Sequence, residues 1–392
     1  MPQIWAGVDI GKTHHHCVVL DAEGKRLLSR RVLNDEPELL ALLADVLAID
    51  EGAAWAVDVA DGMAALLISV LLNSQQLLYI PGLAVNRASA GYRGMGKTDA
   101  KDATVIADQA RMRRDLTVLR PDDEDAIELR VLTNRRADLN ADRTRRINRL
   151  RGQLTSILPA LERTLDLGNV GPLILLSGYQ TPAALRRTGA KRLETWPHNR
   201  KVRGAETLAE AALEAAERQH TAVPGEKITA QVIHTLAKEV MGLNEQIAEI
   251  DKLIAARFRD HELAEVISSM PGIGPLLGAE FLAPTAGDMS RYGTADRLAG
   301  VAPVPRDSGN ISGNLHRPRR YHRGLQRVFC TSALISIRNC DASRRFYERK
   351  RAEGKRHTQT VLALTRRRVN VLWALIHDGR CYQRELPVTA AA

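Results

Sequence analysis

The chain has 392 residues, 44% of them hydrophobic, which is enough for two or three domains with cores of their own and excludes a disordered polymer. Its net charge of +10 and pI of about 9.6 favour a polyanionic partner. No run of about 20 apolar residues is present to span a membrane. Cys17, Cys330, Cys340 and Cys381 form no Cys-x-x-Cys pair for a structural zinc site, and scattered thiols suit a reducing cytoplasm.

The N-terminus runs into a strand-like segment without a charged leader, so no signal peptide is expected. Residues 4–10, 14–20 and 27–32 predict three strands of a meander, with turns at Gly11-Lys12-Thr13 and Asp21-Ala22-Glu23-Gly24. A helix is expected over 36–47, a short buried strand at 55–57, a helix over 63–72 and a strand at 77–80 ahead of Pro81. Another helix follows over 100–111, with Thr98 as its cap. Strands and helices in this order predict an α/β domain over residues 1–120.

A long helix spans 122–158, opening on Asp122, Asp123, Glu124 and Asp125, which suit a helix N-terminus. Residues 167–225, rich in Gly, Pro and Arg, give no readable pattern. Ile233, Leu236, Val240, Leu243, Ile247, Ile250 and Ile254 then repeat at alternating spacings of three and four, a heptad seam. The seam predicts a hairpin with the first long helix, a dimer zipper being the alternative, so 121–260 reads as a coiled-coil assembly segment. Residues 261–380 predict a small, mostly helical domain ending in a buried helix over 369–376, and 381–392 a tail. Between Val301 and Arg380 there are 18 Lys+Arg and 5 Asp+Glu, a net of +13, so the polyanion-binding surface is expected there and the rest is slightly acidic.

Four carboxylates carry the chemistry. Asp9 lies in an apolar strand just before Gly11, Asp58 ends the run Ala53-Ala54-Trp55-Ala56-Val57, and Asp99 and Asp102 sit three apart on one helix face. Acids at two strand ends and a pair on a helix are how a ribonuclease-H-like (RuvC-like) fold assembles a divalent-metal site. A carboxylate in an apolar strand is costly without a partner, and hard cations such as Mg²⁺ take oxygen ligands. Asp61 rivals Asp58, since Asp58-Val59-Ala60-Asp61 offers two acids close together.

Gly91-Tyr92-Arg93-Gly94-Met95-Gly96-Lys97-Thr98 matches the P-loop pattern, but no strand-like run precedes it. A flexible connection bringing Lys97 and Asp99 to the site is the expectation. Val8-Asp9-Ile10-Gly11-Lys12-Thr13 is similar to the first phosphate motif of sugar kinases and actin-like ATPases, which also predict a second equivalent domain and an adenosine site; neither is legible. His14-His15-His16 alternates along a strand, which puts His14 and His16 on one side. Met270-Pro271-Gly272-Ile273-Gly274 resembles a helix-hairpin-helix turn, in which Gly272 and Gly274 let backbone N–H groups approach a phosphate. Ser308 lies in a Pro/Gly-rich stretch flanked by Arg306, Arg317, Arg319, Arg320 and Arg323, which can neutralise and grip a phosphate.

Taken together, these residues resemble the IS-one-ten insertion-sequence transposases, the bridge-RNA-guided DNA recombinases, over nearly the whole chain. Lys97-Thr98-Asp99-Ala100-Lys101-Asp102-Ala103 is the most specific piece; Leu298-Ala299-Gly300-Val301-Ala302-Pro303 and Asp307-Ser308-Gly309 match the C-terminal transposase domain. The resemblance implies a DEDD set of Asp9, Asp58, Asp99 and Asp102 holding Mg²⁺ or Mn²⁺, and Ser308 as the nucleophile. It implies DNA as substrate, a structured non-coding bridge RNA as guide, a homo-oligomer (dimer or tetramer) joined through the long helices, and a cytoplasmic, nucleoid-associated protein. The chain departs from the family in its second acid, which is usually Glu followed by Thr-Gly and is here Asp58 followed by Val59-Ala60-Asp61-Gly62. A nuclease that hydrolyses DNA with water, and a non-catalytic nucleic-acid-binding relic, are the alternatives.

Overall fold

The structure is a computed structural model and describes residues 4–59, 62–72, 75–92, 98–114, 116–119, 124–299, 304–305, 315–316 and 322–383. It forms two compact units, Met1–Asp123 and Glu124–Ala392.

The first unit is a six-stranded sheet with helices on both faces. In chain order its elements are β1 (Ile4–Asp9), β2 (His14–Asp21), β3 (Arg26–Leu33), α1 (Glu36–Leu47) and β4 (Ala54–Val57). There follow a 3₁₀ turn (Gly62–Ala64), α2 (Ala65–Leu72), β5 (Gln76–Tyr79), α3 (Gly82–Ser89), α4 (Asp99–Met112) and β6 (Thr117–Leu119). The strand order is β3-β2-β1-β4-β5-β6. β1, β2 and β3 pair antiparallel, β4 and β5 extend the sheet in parallel beyond β1, and β6 closes it antiparallel. A meander followed by parallel strands on the far side of β1 is the ribonuclease-H-like arrangement expected from the carboxylates.

The sheet's burial explains why this half is legible. All four residues of β4 are buried, as a central parallel strand covered on both faces requires. One face packs Val8, Trp55 and Val57 against Leu39, Leu42 and Val46 of α1 and Leu67 and Leu71 of α2. The other packs Trp5, Ala54 and Ala56 against Val85 of α3 and Val105 and Ile106 of α4.

The second unit is helical. Its frame is α5 (Glu124–Ile157) and α11 (Glu226–Asp260), with α6 (Pro159–Thr164), α7 (Val170–Gly178), α8 (Pro182–Thr188), α9 (Ala190–His198) and α10 (Ala205–Glu217) between them. Arg136–Asp251 (2.5 Å) and Arg146–Glu239 (2.9 Å) cross-link the two long helices, which therefore run antiparallel. The seam residues Ile233, Leu236 and Val240 share a core with Ile147, Leu150 and Leu154 of α5 and with the short helices. Ile250 and Ile254 share a second core with Leu129 and Leu139. This core continues into α12 (Ala264–Ser269), α13 (Pro275–Thr285), α14 (Ala295–Ala299), α15 (Arg323–Asn339) and α17 (His357–Asp378), while α16 (Asp341–Ala352) packs Phe346 and Tyr347 on a smaller cluster with Ala333, Val361 and Leu364. β7 (Val304–Pro305) pairs antiparallel with β8 (Leu315–His316). Phe281 of α13 and Phe329 of α15 meet edge to face at 5.9 Å. No helix among the described residues is long and apolar enough to cross a membrane.

Candidate active site

Asp9 is the last residue of β1, and Asp58 follows the last residue of β4. The parallel register pairs Val8 with Val57, so the two acids occupy neighbouring strand ends. Adjacent strands lie about 4.8 Å apart. Asp99 and Asp102 form the acidic first turn of α4, where Thr98 accepts a hydrogen bond from Lys101 N at 3.2 Å. Acids in that turn also meet the positive end of the helix dipole.

What brings α4 to the strand ends is a missing side chain. A Cβ placed at Gly7 would lie 2.2 Å from Ala107 N and 2.4 Å from Ala103 O, so the helix backbone rests directly on β1. Ala103 and Ala107 are fully buried beneath it with Val18 and Leu20 of β2. Small residues one turn apart on α4 and a glycine in an apolar strand were the signal for this contact.

Seated there, α4 carries Asp102 within electrostatic range of Asp58. Burial pushes the Asp58 carboxyl above its ordinary value, and the Asp102 charge pushes it further; backbone N–H groups of Asp58 and Ile10 oppose the shift. Asp58 Oδ1 is buried with no hydrogen-bond partner among the described residues. On the other side, Oδ2 lies 3.6 Å from where a Cβ at Gly82 would sit, at the start of α3. Asp99 instead lies near His16: its charge works to raise the His16 pKa, although burial, the larger effect, lowers it. His16 pairs with Asp9 across β1 and β2 and meets Ser29 Oγ at 3.0 Å. His15 points to the other face and is buried.

Among the described residues no three His, Cys, Asp or Glu side chains converge into a cluster that could hold an ion. The donor set is nevertheless carboxylate oxygen throughout, and Asp58 presents an orphaned buried oxygen beside a second acid. Those two features suit a hard divalent cation, because an unpaired buried carboxylate facing a like charge is otherwise expensive. Asp61 lies outside the described residues.

The P-loop-like string is preceded by α3, not by a strand. Tyr92 donates to Asp108 of α4 at 2.5 Å, and Thr98 is occupied as the α4 cap, so the connection is tied to α4 at both ends. Lys97 lies outside the described residues.

In the second unit, Gly272 has φ +83°, and a Cβ there would lie 2.7 Å from Ser332 O and 3.1 Å from Ser336 N. This glycine is pressed against α15, and packing alone requires it. Gly274 differs: it caps α13 with extended backbone, and a Cβ there would meet open space. Arg368 of α17, 4% exposed, holds the turn by donating to Pro271 O and to Ser332 Oγ at 2.6 Å. Burial depresses its pKa to about 10. In the sequence Arg368 is one of three successive arginines, Arg366-Arg367-Arg368, and nothing there marks it as the buried one. Arg323 is exposed in the first turn of α15, which His322 caps by accepting from Leu325 N at 3.1 Å. Ser308, Arg306, Arg317, Arg319 and Arg320 lie outside the described residues.

Comparison with known proteins gives two family matches, "Transposase" of the DEDD type over residues 6–159 and "Transposase IS116/IS110/IS902 family" over residues 264–348. The insertion element IS900 uncharacterized 42 kDa protein of Mycobacterium paratuberculosis is 55% identical over 395 residues, covering 99% of each chain. The insertion element IS116 uncharacterized 44.8 kDa protein of Streptomyces clavuligerus is 51% identical, covering 100% of this chain and 98% of its own. A solved T. thermophilus RuvC in complex with a Holliday junction substrate covers 30% of this chain and 99% of its own at 19% identity, with a TM-score of 0.24 that carries no argument. With half its residues shared with insertion-element proteins of its own length, the chain belongs to the IS110/IS116 transposase family, and it is a transposase, an enzyme that recombines DNA.

Proposed function

We propose that this transposase cuts and rejoins DNA through a phosphoserine intermediate on Ser308, with Asp9, Asp58, Asp99 and Asp102 holding a divalent cation. The observation that supports the metal half is Asp58: a buried carboxylate oxygen without a partner among the described residues, facing the charge of Asp102. Mg²⁺ or Mn²⁺ held there supplies charge stabilisation at phosphoryl oxygens. The Ser308 hydroxyl attacks phosphorus, a phosphorus–serine oxygen bond forms, and the bond to a deoxyribose oxygen breaks, that oxygen leaving as the hydroxyl with the serine's proton. A deoxyribose hydroxyl of another strand reverses the step, so the diester bond energy is kept for rejoining. Arg306, Arg317, Arg319, Arg320 and Arg323 neutralise the phosphate. Gly274, open at the start of α13, offers backbone N–H groups to a further phosphate.

The same reading assigns target choice to a structured non-coding RNA by base pairing, the protein recognising RNA by shape and backbone. The working form is a homo-oligomer in the cytoplasm, associated with the nucleoid. Asp9→Asn and Asp102→Asn test the site: each should abolish strand cleavage with Mg²⁺ and leave duplex binding within about threefold, a change of under 1 kcal/mol. Cleavage surviving in both would displace the metal site. Cleavage surviving in Ser308→Ala would make the enzyme a water-using nuclease.

A further inference from the structure

The short helices between α5 and α11 lie outside both family matches, which cover residues 6–159 and 264–348. They carry a second concentration of positive charge. Between Arg186 and Arg203 there are seven Lys and Arg and a single acid, Glu194, a net of +6. The slight acidity of the chain outside its C-terminal part is therefore an average that conceals a strongly basic surface.

Arg187 lies in the last turn of α8, Lys191 and Arg192 in the first turn of α9 beyond Gly189, and Arg200, Lys201 and Arg203 follow its C-terminus. All six are exposed. Arg200 is committed within the protein, as is the half-buried Arg186: Arg186 donates to Ala216 O at 2.6 Å, and the Arg200 guanidinium lies 3.6 Å from the centroid of the Trp196 ring. Among the described residues Arg187, Lys191, Arg192, Lys201 and Arg203 take part in no ion pair; the pairs nearest in sequence, Arg146–Glu239 and Arg218–Glu214, leave them untouched. α10, packed on α9, exposes Glu206, Glu210, Glu214 and Glu217 and bounds the cationic surface on that side. Nine residues of α9 span about 14 Å, so the cations at its two ends are spaced on the scale of the major groove, about 12 Å wide between its two strands.

The chemistry selects among polyanions. Single strands are gripped by aromatic platforms on which bases stack. The one aromatic side chain in this stretch is already used: Arg200 covers Trp196, Tyr179 meets its edge at 5.9 Å, and its Nε1 donates to Ile174 O at 2.9 Å. What remains is charge alone, which suits the backbone of a duplex. The surface also sits apart from the turn at Pro271-Gly272. Leu193 shares the core at the N-terminal half of α11 with Ile233, whereas Gly278 of α13 abuts Phe258 near the other end. The 35 residues of α11 span about 50 Å, the length of roughly 15 base pairs.

We propose that the α8–α9 segment with its following loop is a second, sequence-independent binding surface for double-stranded DNA, engaging phosphates through Arg187, Lys191, Arg192, Lys201 and Arg203. It stands whether or not Ser308 is the nucleophile, because it requires only that the enzyme handles DNA.

The test uses the full chain carrying Arg187→Gln, Lys191→Gln, Arg192→Gln and Arg203→Gln together, with Arg186 and Arg200 kept for their internal contacts. Binding to a 30-base-pair duplex is measured against salt. Each lost phosphate contact flattens the log–log slope by about 0.9. The expected result is a slope shallower by about 2 to 4 and affinity at least tenfold weaker at 0.1 M salt, with a variant carrying Lys at 187, 192 and 203 retaining the slope of the unaltered chain. In the unaltered protein, bound duplex should protect Lys191 and Lys201 from acetylation, a readout that needs no variant to fold. A slope changed by less than one, or undiminished labelling of both lysines, overturns the proposal. A loss confined to an RNA duplex or to single strands assigns the surface to RNA and overturns it equally.

Discussion

Gly7→Ala tests how the carboxylates are brought together. The added methyl would lie 2.2 Å from Ala107 N, 2.4 Å from Ala103 O and 2.8 Å from Ala107 Cα. All three are backbone atoms, so no side chain can swing aside. Alanine's restriction of the unfolded chain would return only about 0.4–1 kcal/mol. To restore van der Waals contact α4 must retreat by about 1 Å. Overpacking of this kind costs about 1–3 kcal/mol and more where backbone must move, so we expect a loss near 3 kcal/mol. For a unit of 123 residues that is a fall in Tm of more than about 10 °C. Asp99 and Asp102 ride on α4, and a displacement of about 1 Å can cost 10²-fold in rate. Thermal melts of the variant and single-turnover cleavage are the assays. Ala107→Gly should not rescue it, because the clash is with the backbone. A variant with unchanged melting and cleavage would refute the seating of α4 on β1, and with it the origin of the Asp58–Asp102 pairing.

Mg²⁺ at 100 times its dissociation constant should stabilise the wild-type chain by about 2.7 kcal/mol, and Asp58→Asn should remove most of that gain; an undiminished thermal shift would exclude Asp58 as a ligand and point to Asp61. Arg368→Met should destabilise the second unit by roughly 2 kcal/mol, since Pro271 O and Ser332 Oγ lose a buried donor; an unchanged denaturant midpoint would show that the turn needs no pin. ATP should neither bind nor be hydrolysed, because α3 rather than a strand precedes Gly91 and Thr98 caps α4; saturable binding lost in Lys97→Ala would contradict this.

Five of the six strands were legible because they lie at the right length between turn residues, and because an acid at the end of an apolar strand is chemically conspicuous. The α4 start was legible from Thr98, whose side chain caps it as the sequence suggested. The short helices between α5 and α11 were not. In α10 the buried positions are all alanine, as at Ala205, Ala209, Ala212 and Ala216, which gives too weak a contrast for a periodic pattern to show, and α6, α8 and α9, of six to nine residues, are too short for one. Gly272 illustrates a different difficulty. A glycine needed for a phosphate to approach and one needed for a helix to approach look alike in sequence, and only the 2.7 Å separation from Ser332 O identifies the second. β6 and α3 escaped because they are three and eight residues long with mixed polarity.

The phosphoserine intermediate is tested most directly by trapping it. Protein, Mg²⁺, the element's own structured RNA and a nicked suicide duplex are incubated, and the protein–DNA adduct is digested and mapped. A phosphodiester is expected on the peptide spanning residues 306–317, at Ser308 rather than at Ser312, the other serine there, and it should disappear in Ser308→Ala. Cleavage without an adduct, or an adduct undiminished in Ser308→Ala, would contradict it.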